Sequence, residues 1–180
     1  MRVGPNRSIV PGPNRSIVFI SPSIRHIPVE ETELLEEGKG GSMSTSVMLL
    51  ILTEDGRLLM HLRDDKVGIL HPGCWAGFGG AVDDGESADD ALRREVLEET
   101  GLELVDAQFL TEVIDYKEEG GRGDVVRMYV TRGWITQDDI DLKEGAGVGV
   151  FSLEELALMK LSPFVRHVID EHGPTLMAGL

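Results

Sequence analysis

The sequence predicts a mixed α/β fold, and three observations carry that expectation. Apolar runs at Val47 to Leu52 and Arg57 to Leu62 flank Thr53-Glu54-Asp55-Gly56, a hairpin signal. A helical stretch is bracketed by Ser87, an N-cap with Asp90 three residues on, and by Gly101, a C′ glycine suited to a left-handed stop. Further strand-like and helix-like segments then follow one another to the C-terminus.

In chain order, GPNRSIV stands at Gly4 to Val10 and again at Gly12 to Val18, a tandem repeat of two copies and too few for a solenoid. Each Gly-Pro-Asn reads as a turn and each Ser-Ile-Val as a short extended piece. Arg7 and Arg15 can touch an anionic ligand, but a loose tail or a recent duplication is the simpler reading. Residues 29–37 read as a short acidic helix and Lys39 to Ser42 as a glycine-rich linker. Residues 1–42 are therefore taken as an extension and 43–180 as the folded domain. Past the hairpin and the capped helix, Gln108 to Lys117 and Val125 to Trp134 form a second strand pair. Their connecting loop, Glu118 to Asp124, contains Arg122-Gly123-Asp124, a chance adhesion motif. Val148 to Phe151 is a further strand, and Ser152 with Glu155 is a capping box that opens a helix. Ser162-Pro163 opens the last helix, which Gly173 is expected to end. Gly145, Gly147 and Gly149 are no dinucleotide loop, because a strand and not a helix follows them.

Composition narrows the function. The 180 residues suit one domain with a sizeable core. Thirty-two acidic against 17 basic residues, a formal charge of −15, argue against a nucleic-acid partner, which needs basic patches. Cys74 is the only cysteine, so no intrachain disulfide can form; this suits a cytoplasmic location, with Cys74 as a small packed side chain. No apolar run is long enough to span a membrane, and the first twenty residues lack the apolar core of a secretory signal. His26, His61, His71, His167 and His172 show no metal-ligand spacing and are read as structural or surface residues. Trp75 and Trp134 can stack on a base, but core positions are the expectation for both.

The most informative run is GAVDDGESADDALRREVLEETGL, Gly80 to Leu102. Glu95, Glu98 and Glu99 lie three and four apart on the capped helix, close enough to share a hard cation. Steps of three and four back from them reach Leu92, Ala91 and Ala88, and forward steps reach Leu102. The carboxylates thus occupy the stripe the helix uses for packing. Inward carboxylates are costly unless compensated, and a metal ion is the natural compensator, against the blander reading of a solvated acidic face. Arg94, one turn before Glu98, can hold that carboxylate in place. Upstream, Gly77, Phe78, Gly79 and Gly80 form a glycine-rich loop that backbone and ligand can approach closely.

This spacing, G-x5-E-x7-R-E-U-x-E-E-x-G-U with U a bulky aliphatic, is matched by Gly80, Glu86, Arg94, Glu95, Val96, Glu98, Glu99, Gly101 and Leu102. The chain resembles the Nudix hydrolases, and the likeness runs from about Ser44 to His172. HPGCWAGFGG before the box is similar to the family's Pro-Gly-x-Trp lead-in, and KEGAGVGVFSLEEL after it to the Glu-Gly segment and the aromatic-Ser-Leu-Glu-Glu-Leu run. The resemblance implies an α/β/α sandwich with a mixed sheet and a catalytic loop-helix-loop. It also implies hydrolysis of a nucleoside diphosphate linked to another moiety, with Mg2+ as cofactor and Mn2+ able to substitute. By position it implies Glu98 and Glu99 as principal metal ligands, with the Gly79 carbonyl as a further one. Glu95 is then a ligand or the base that activates water, and Glu86 a support for the loop or for an additional metal. Glu144 is a metal-binding or base carboxylate outside the box, for which Asp138, Asp139 and Asp141 compete. Arg94 belongs to the same catalytic set. Gly79, Gly80 and Phe78 are placed beside the substrate, Phe78 with core packing as its preferred role, and Arg63 is placed at its phosphate or sugar.

Departures from the family pattern narrow the substrate by elimination. Phe78 stands where many members have Pro, and the stretch at Tyr116-Lys117-Glu118 lacks the Pro usual in ADP-ribose pyrophosphatases. The tyrosine of dinucleoside polyphosphate hydrolases and the coenzyme A motif are also missing, and the intact Glu98-Glu99 pair differs from the mannosyl hydrolases. A nucleoside triphosphate or an NDP-sugar remains, a small-molecule partner, and an isologous homodimer is the expected assembly. Two alternatives are a non-catalytic nucleotide-sensing regulator and an isoprenoid diphosphate isomerase using Cys74; the complete carboxylate set argues against both.

Overall fold

The computed structural model describes residues 16–17, 44–114 and 125–178. The elements are β1 (Ser16–Ile17), β2 (Thr45–Thr53), β3 (Leu58–Leu62), β4 (Trp75–Ala76), α1 (Ala88–Thr100), β5 (Glu103–Leu104), β6 (Gln108–Ile114), β7 (Val125–Gly133), β8 (Gly147–Phe151), α2 (Leu153–Ala157) and α3 (Pro163–Ala178), with a 3-10 turn at Gln137–Asp139. The GPNRSIV repeat apart from Ser16–Ile17, the acidic helix at 29–37 with His26 before it, the 39–42 linker and the 115–124 segment lie outside the described residues.

Six strands form one mixed sheet in the order β4-β3-β2-β7-β6, with β8 also on β3; β1 and β5 make a separate parallel pair. β2 runs parallel to β7 along its whole length, from Thr45 opposite Val125 to Thr53 opposite Gly133. Its run VMLLIL is buried on both faces, as a strand covered by helices on either side requires. Val47, Leu49 and Ile51 pack with Ala91, Leu92 and Val96 of α1. Met48, Leu50 and Leu52 face the opposite way, onto Leu156 of α2 and Phe164, Val165 and Val168 of α3. The expected α/β/α sandwich is therefore present.

The predicted hairpin exists, but β2 and β3 pair only at its closed end, Ile51 with Leu59 and Leu52 with Leu58. β3 then diverges to pair with β4 and β8. The edge of β2 that this exposes is taken by the glycine-rich segment. Phe78 bridges Leu49 and Ala81 bridges Ser46. The Val47 and Leu49 N–H groups donate to the Gly80 and Phe78 carbonyls at 2.9 and 2.7 Å. A segment that reads as a loop is thus strapped to the central strand.

Helix α1 begins and ends as its residues require. The Ser87 hydroxyl accepts from the Asp90 N–H at 3.1 Å, and Gly101, at φ 70°, closes the helix in the left-handed region. The Ser152–Glu155 capping box opens α2. Two expectations fail. Gly173 does not end α3, which continues through Pro174 to Ala178. A Cβ at Gly173 would sit 3.0 Å from Leu153 Cδ1, so the glycine serves close packing of α3 on α2. Trp134 is 85% exposed and not core, because β7 has ended and the chain turns outward there. Trp75 is partly buried, edge-on to Phe151 with ring centroids 4.6 Å apart. Cys74 is buried and unpaired, as a packing residue would be.

His61 on β3 is 2% exposed, lies edge-on to Phe78 at 5.0 Å, and neither ring nitrogen has a hydrogen-bond partner. Burial, helped by the Arg63 charge, pushes its pKa down to about 4, so the ring is held neutral. The unfolded chain, with an ordinary histidine near 6.5, then takes up a proton that the fold excludes. This contribution is complete above pH 6.5 and is lost as pH falls towards 4, for a total of roughly 3 kcal/mol. Urea unfolding at pH 7, 5.5 and 4 is predicted to show that loss in the wild type and a flatter profile in His61→Leu; parallel profiles would refute it.

Candidate active site

Burial sorts the three carboxylates of α1. Glu99 is among the buried residues, aligned with Ala91, Leu92, Val96 and Thr100. The Glu95 side chain is 17% exposed and the Glu98 side chain 62% exposed. The packing stripe therefore contains Glu99, is flanked by Glu95 and excludes Glu98, a correction to the reading that put all three inward. Helical geometry sets this: at roughly 100° per residue Glu99 falls inside the buried arc of Ala91, Leu92, Val96 and Thr100, with Glu95 about 40° from Glu99 and Glu98 about 100° from it, on the solvent side.

Glu99 reaches from α1 to the strap, where its Oε2 accepts from the Gly79 N–H at 2.9 Å. Its pKa is pushed up to about 8, chiefly by burial and further by the charges of Glu95 and Glu144, while the Gly79 N–H and Arg63 act the other way. A Cβ on Gly80 would fall 2.6 Å from the Glu95 carboxylate, so α1 and the strap are in direct contact here.

Arg94 ties the acidic groups together. Its Nε and Nη2 donate to the two oxygens of Glu86, both at 2.9 Å; its Nη1 donates to Glu95 Oε1 at 2.7 Å and stands 3.6 Å from Glu98 Oε2. Nη2 also reaches the Ala81 carbonyl at 3.0 Å. Glu86 accepts from the Asp83 N–H as well, at 3.1 Å. Its pKa is held down to about 2, first by Arg94 and then by that N–H. Of the two roles expected of Glu86, loop support is the one its contacts display. Arg94→Ala is predicted to return the Glu86 titration towards 4.5 by NMR and to speed amide exchange at Asp83 and Glu86; an unmoved titration would show that Arg94 is not the clamp.

Glu144 is exposed, yet its segment is anchored beside the site: the Lys143 N–H donates to the Glu99 carbonyl at 2.9 Å and the Ala146 N–H to the Leu62 carbonyl at 2.7 Å. Two of its three competitors are engaged elsewhere. Asp139 accepts from Thr136 at 2.9 Å, and Asp141 pairs with Lys143 at 2.5 Å. Among the described residues no three His, Cys, Asp or Glu side chains are gathered closely enough to grip one ion in this arrangement.

Beside the strap lies a cavity of about 210 Å³, lined by Met48, Arg63, Gly79, Gly80, Ser162 and Phe164 among others. The Arg63 Nε donates to the Leu70 carbonyl at 2.8 Å. Phe78 is fully buried in the α1-side core and is not among the residues lining this cavity. The sequence reading missed Ser162, His71 and Phe164 as pocket residues. Ser162-Pro163 was legible only as a helix start, and nothing local ties position 162 to the strap 80 residues earlier.

The sandwich, the strapped glycine segment and the carboxylate helix define the class: the chain belongs to the NUDIX domain family, whose model matches residues 43–172. It is similar to the nucleoside triphosphatase NudI of Escherichia fergusonii, 46% identical over 61 residues that make up 34% of this chain and 42% of that protein. It is also similar to the oxidized purine nucleoside triphosphate hydrolase of Danio rerio, 41% identical over 59 residues, 33% of this chain and 36% of that one. The chain thus spans less than half the length of these curated relatives. Among solved structures, the MutT protein from Methanosarcina mazei Go1 superposes with a TM-score of 0.61 at 27% identity, over 74% of this chain and 94% of that one. No described helix is long and apolar enough to cross a membrane.

Proposed function

We propose that this chain is a Mg2+-dependent pyrophosphohydrolase that cleaves a nucleoside diphosphate derivative, a nucleoside triphosphate or an NDP-sugar, to a nucleoside monophosphate by attack of water. The observation that carries this reading is Glu99, a buried carboxylate with one N–H partner and two acidic neighbours. Such a group either keeps its proton or takes a cation in its place, and the surrounding donors are the hard oxygens that suit Mg2+, with Mn2+ as substitute. The similarity to NudI favours the triphosphate class.

Glu98, Glu99, Glu95 and the Gly79 carbonyl are assigned to hold the metal, with Glu144 joining from the opposite segment and Glu86 as a more distant support. A divalent cation held by these groups would neutralise phosphate oxygens and lower the pKa of bound water. The protein's own groups do the rest. Arg94 fixes Glu95 and Glu86 relative to the strap. Glu95 or Glu144 accepts the proton of the attacking water. Arg63 and the strap residues Gly79 and Gly80 position the diphosphate, and the cavity beyond them receives the nucleoside. The strongly acidic chain, at −15, repels anionic substrate unless metal is present, so activity is expected to vanish in excess chelator.

We assign residues 43–180 as the hydrolase domain and 1–42 as an extension. We also place the protein in the cytoplasm, as an isologous homodimer acting on small nucleotides and not on nucleic acid; light scattering tests the dimer. The decisive experiment is a Mg2+-dependent hydrolysis screen over nucleoside triphosphates, oxidised nucleotides, NDP-sugars, ADP-ribose and dinucleoside polyphosphates, with products identified by mass. A monophosphate product from one preferred substrate is expected. No turnover across the panel, or turnover unaffected by chelator, would overturn the proposal.

A further inference from the structure

Ser162 is 1% exposed, lines the cavity, and its hydroxyl has no hydrogen-bond partner among the described residues. It stands at the start of the 16-residue helix α3, where a serine ordinarily accepts from a backbone N–H of the first turn; here the only contacts are through its backbone, the N–H donating to Trp75 and the carbonyl accepting from Arg166. Pro163 brings no N–H, and helical geometry leaves the N–H groups of Phe164 and Val165 without intrahelical acceptors. The positive end of the helix dipole points the same way. A buried hydroxyl without a partner costs stability, so its retention at a cavity wall points to a ligand that completes it.

The rest of the wall describes that ligand. Met48, Ala76 and Phe164 are apolar, and the phosphate-side residues Arg63, Gly79 and Gly80 line the same cavity. His71 also lines it, edge-on to Phe164 at 5.1 Å and held at φ 53°, a left-handed conformation uncommon for a residue with a side chain. No carboxylate is among the lining residues. A flat group with apolar faces and a hydrogen-bond-accepting edge fits these walls.

We propose that Ser162 and the first turn of α3 form a specificity element that selects nucleotides whose base presents a carbonyl edge, guanine, uracil or thymine, over those that present an amino group there, adenine or cytosine. The inference rests on the nucleotide reading above and adds the base class to it. The N–H groups of Phe164 and Val165 can only donate and so set the preference for an oxygen, to which the Ser162 hydroxyl adds a further donor, and Arg63, which lines the same cavity, holds the phosphates.

The test is calorimetric binding of GMP, UMP, AMP and CMP to the full chain in saturating Mg2+, repeated for Ser162→Ala and Ser162→Thr. The wild type is expected to prefer GMP and UMP, with an oxygen at purine C6 or pyrimidine C4, over AMP and CMP about tenfold. Ser162→Ala should lower that ratio severalfold, and Ser162→Thr, which keeps the hydroxyl, should restore it. The melting temperature of Ser162→Ala should be unchanged or higher, since the substitution removes an unsatisfied buried group. Equal binding of all four nucleotides by the wild type, or an unaltered ratio in Ser162→Ala, would overturn the proposal. The two readings fail separately. Base-selective binding with no hydrolysis in the Mg2+ screen sinks the enzyme and leaves the specificity element; hydrolysis without base preference does the reverse.

Discussion

Glu99→Gln is expected to lower turnover by at least about a thousandfold while leaving the fold intact. The amide oxygen can still accept from the Gly79 N–H, so the contact between α1 and the strap survives. What is lost is the negative charge in a buried position, the feature on which cation binding depends. The same substitution should alter stability in a pH-dependent way. In the metal-free protein the Glu99 pKa is about 8 against 4.5 for an ordinary glutamate, so the folded state retains a proton that the unfolded chain releases. Its full contribution is present below pH 4.5 and is lost as pH rises through about 8, at a cost on the order of a few kcal/mol. Thermal unfolding in chelator should therefore give a lower melting temperature for wild type at pH 8 than at pH 6, and Glu99→Gln should flatten that difference. Mg2+ should raise the wild-type value at pH 8, since it binds only the folded state, and the variant much less. Normal turnover by Glu99→Gln would remove the residue from the metal site.

Gly79→Ala should be the most damaging single-methyl addition among the described glycines. Its φ of 146° is one that residues with a side chain rarely adopt, and a Cβ would sit 2.1 Å from the Val47 carbonyl oxygen. That oxygen belongs to β2, which is held along its full length against β7 and cannot retreat. The strap must lift instead, breaking the Val47 and Leu49 hydrogen bonds to Gly80 and Phe78 and the Gly79 contact with Glu99. A loss of about 4 kcal/mol is expected, together with the activity. Gly85→Ala is the matched control: its φ is 81°, but nothing lies within 4 Å of the added carbon, so only the left-handed penalty of about 1 kcal/mol applies. Comparable urea midpoints for the two variants would refute the strap argument.

Much of the architecture was legible because local rules carry it. The Ser87 cap, the Gly101 stop and the Ser152–Glu155 box are contacts within a few residues, and each forms as its spacing requires. The burial of β2 on both faces follows from an uninterrupted apolar run. Where local rules misled, a distant partner had taken over. Gly173 resembles a helix stop, but Leu153 packs against it and α3 runs on. Trp134 resembles a core residue, but the strand carrying it has ended.

The candidate site divides in the same way. The order and spacing of Glu86, Arg94, Glu95, Glu98 and Glu99 are written in one continuous stretch, so the carboxylate helix could be read directly from the chain, although the spacing points Arg94 at Glu98 and its side chain bonds Glu86 and Glu95. Tertiary structure alone decided that Glu99 is the inward carboxylate, that Glu86 is spoken for by Arg94, and that Glu144 adds its charge from a separate segment. It alone turned a glycine-rich loop into a strap on β2 and set Ser162 beside it. The physical reason is range. Capping and helical periodicity act over three or four residues, whereas desolvation and cavity walls depend on which remote segments the sheet brings together.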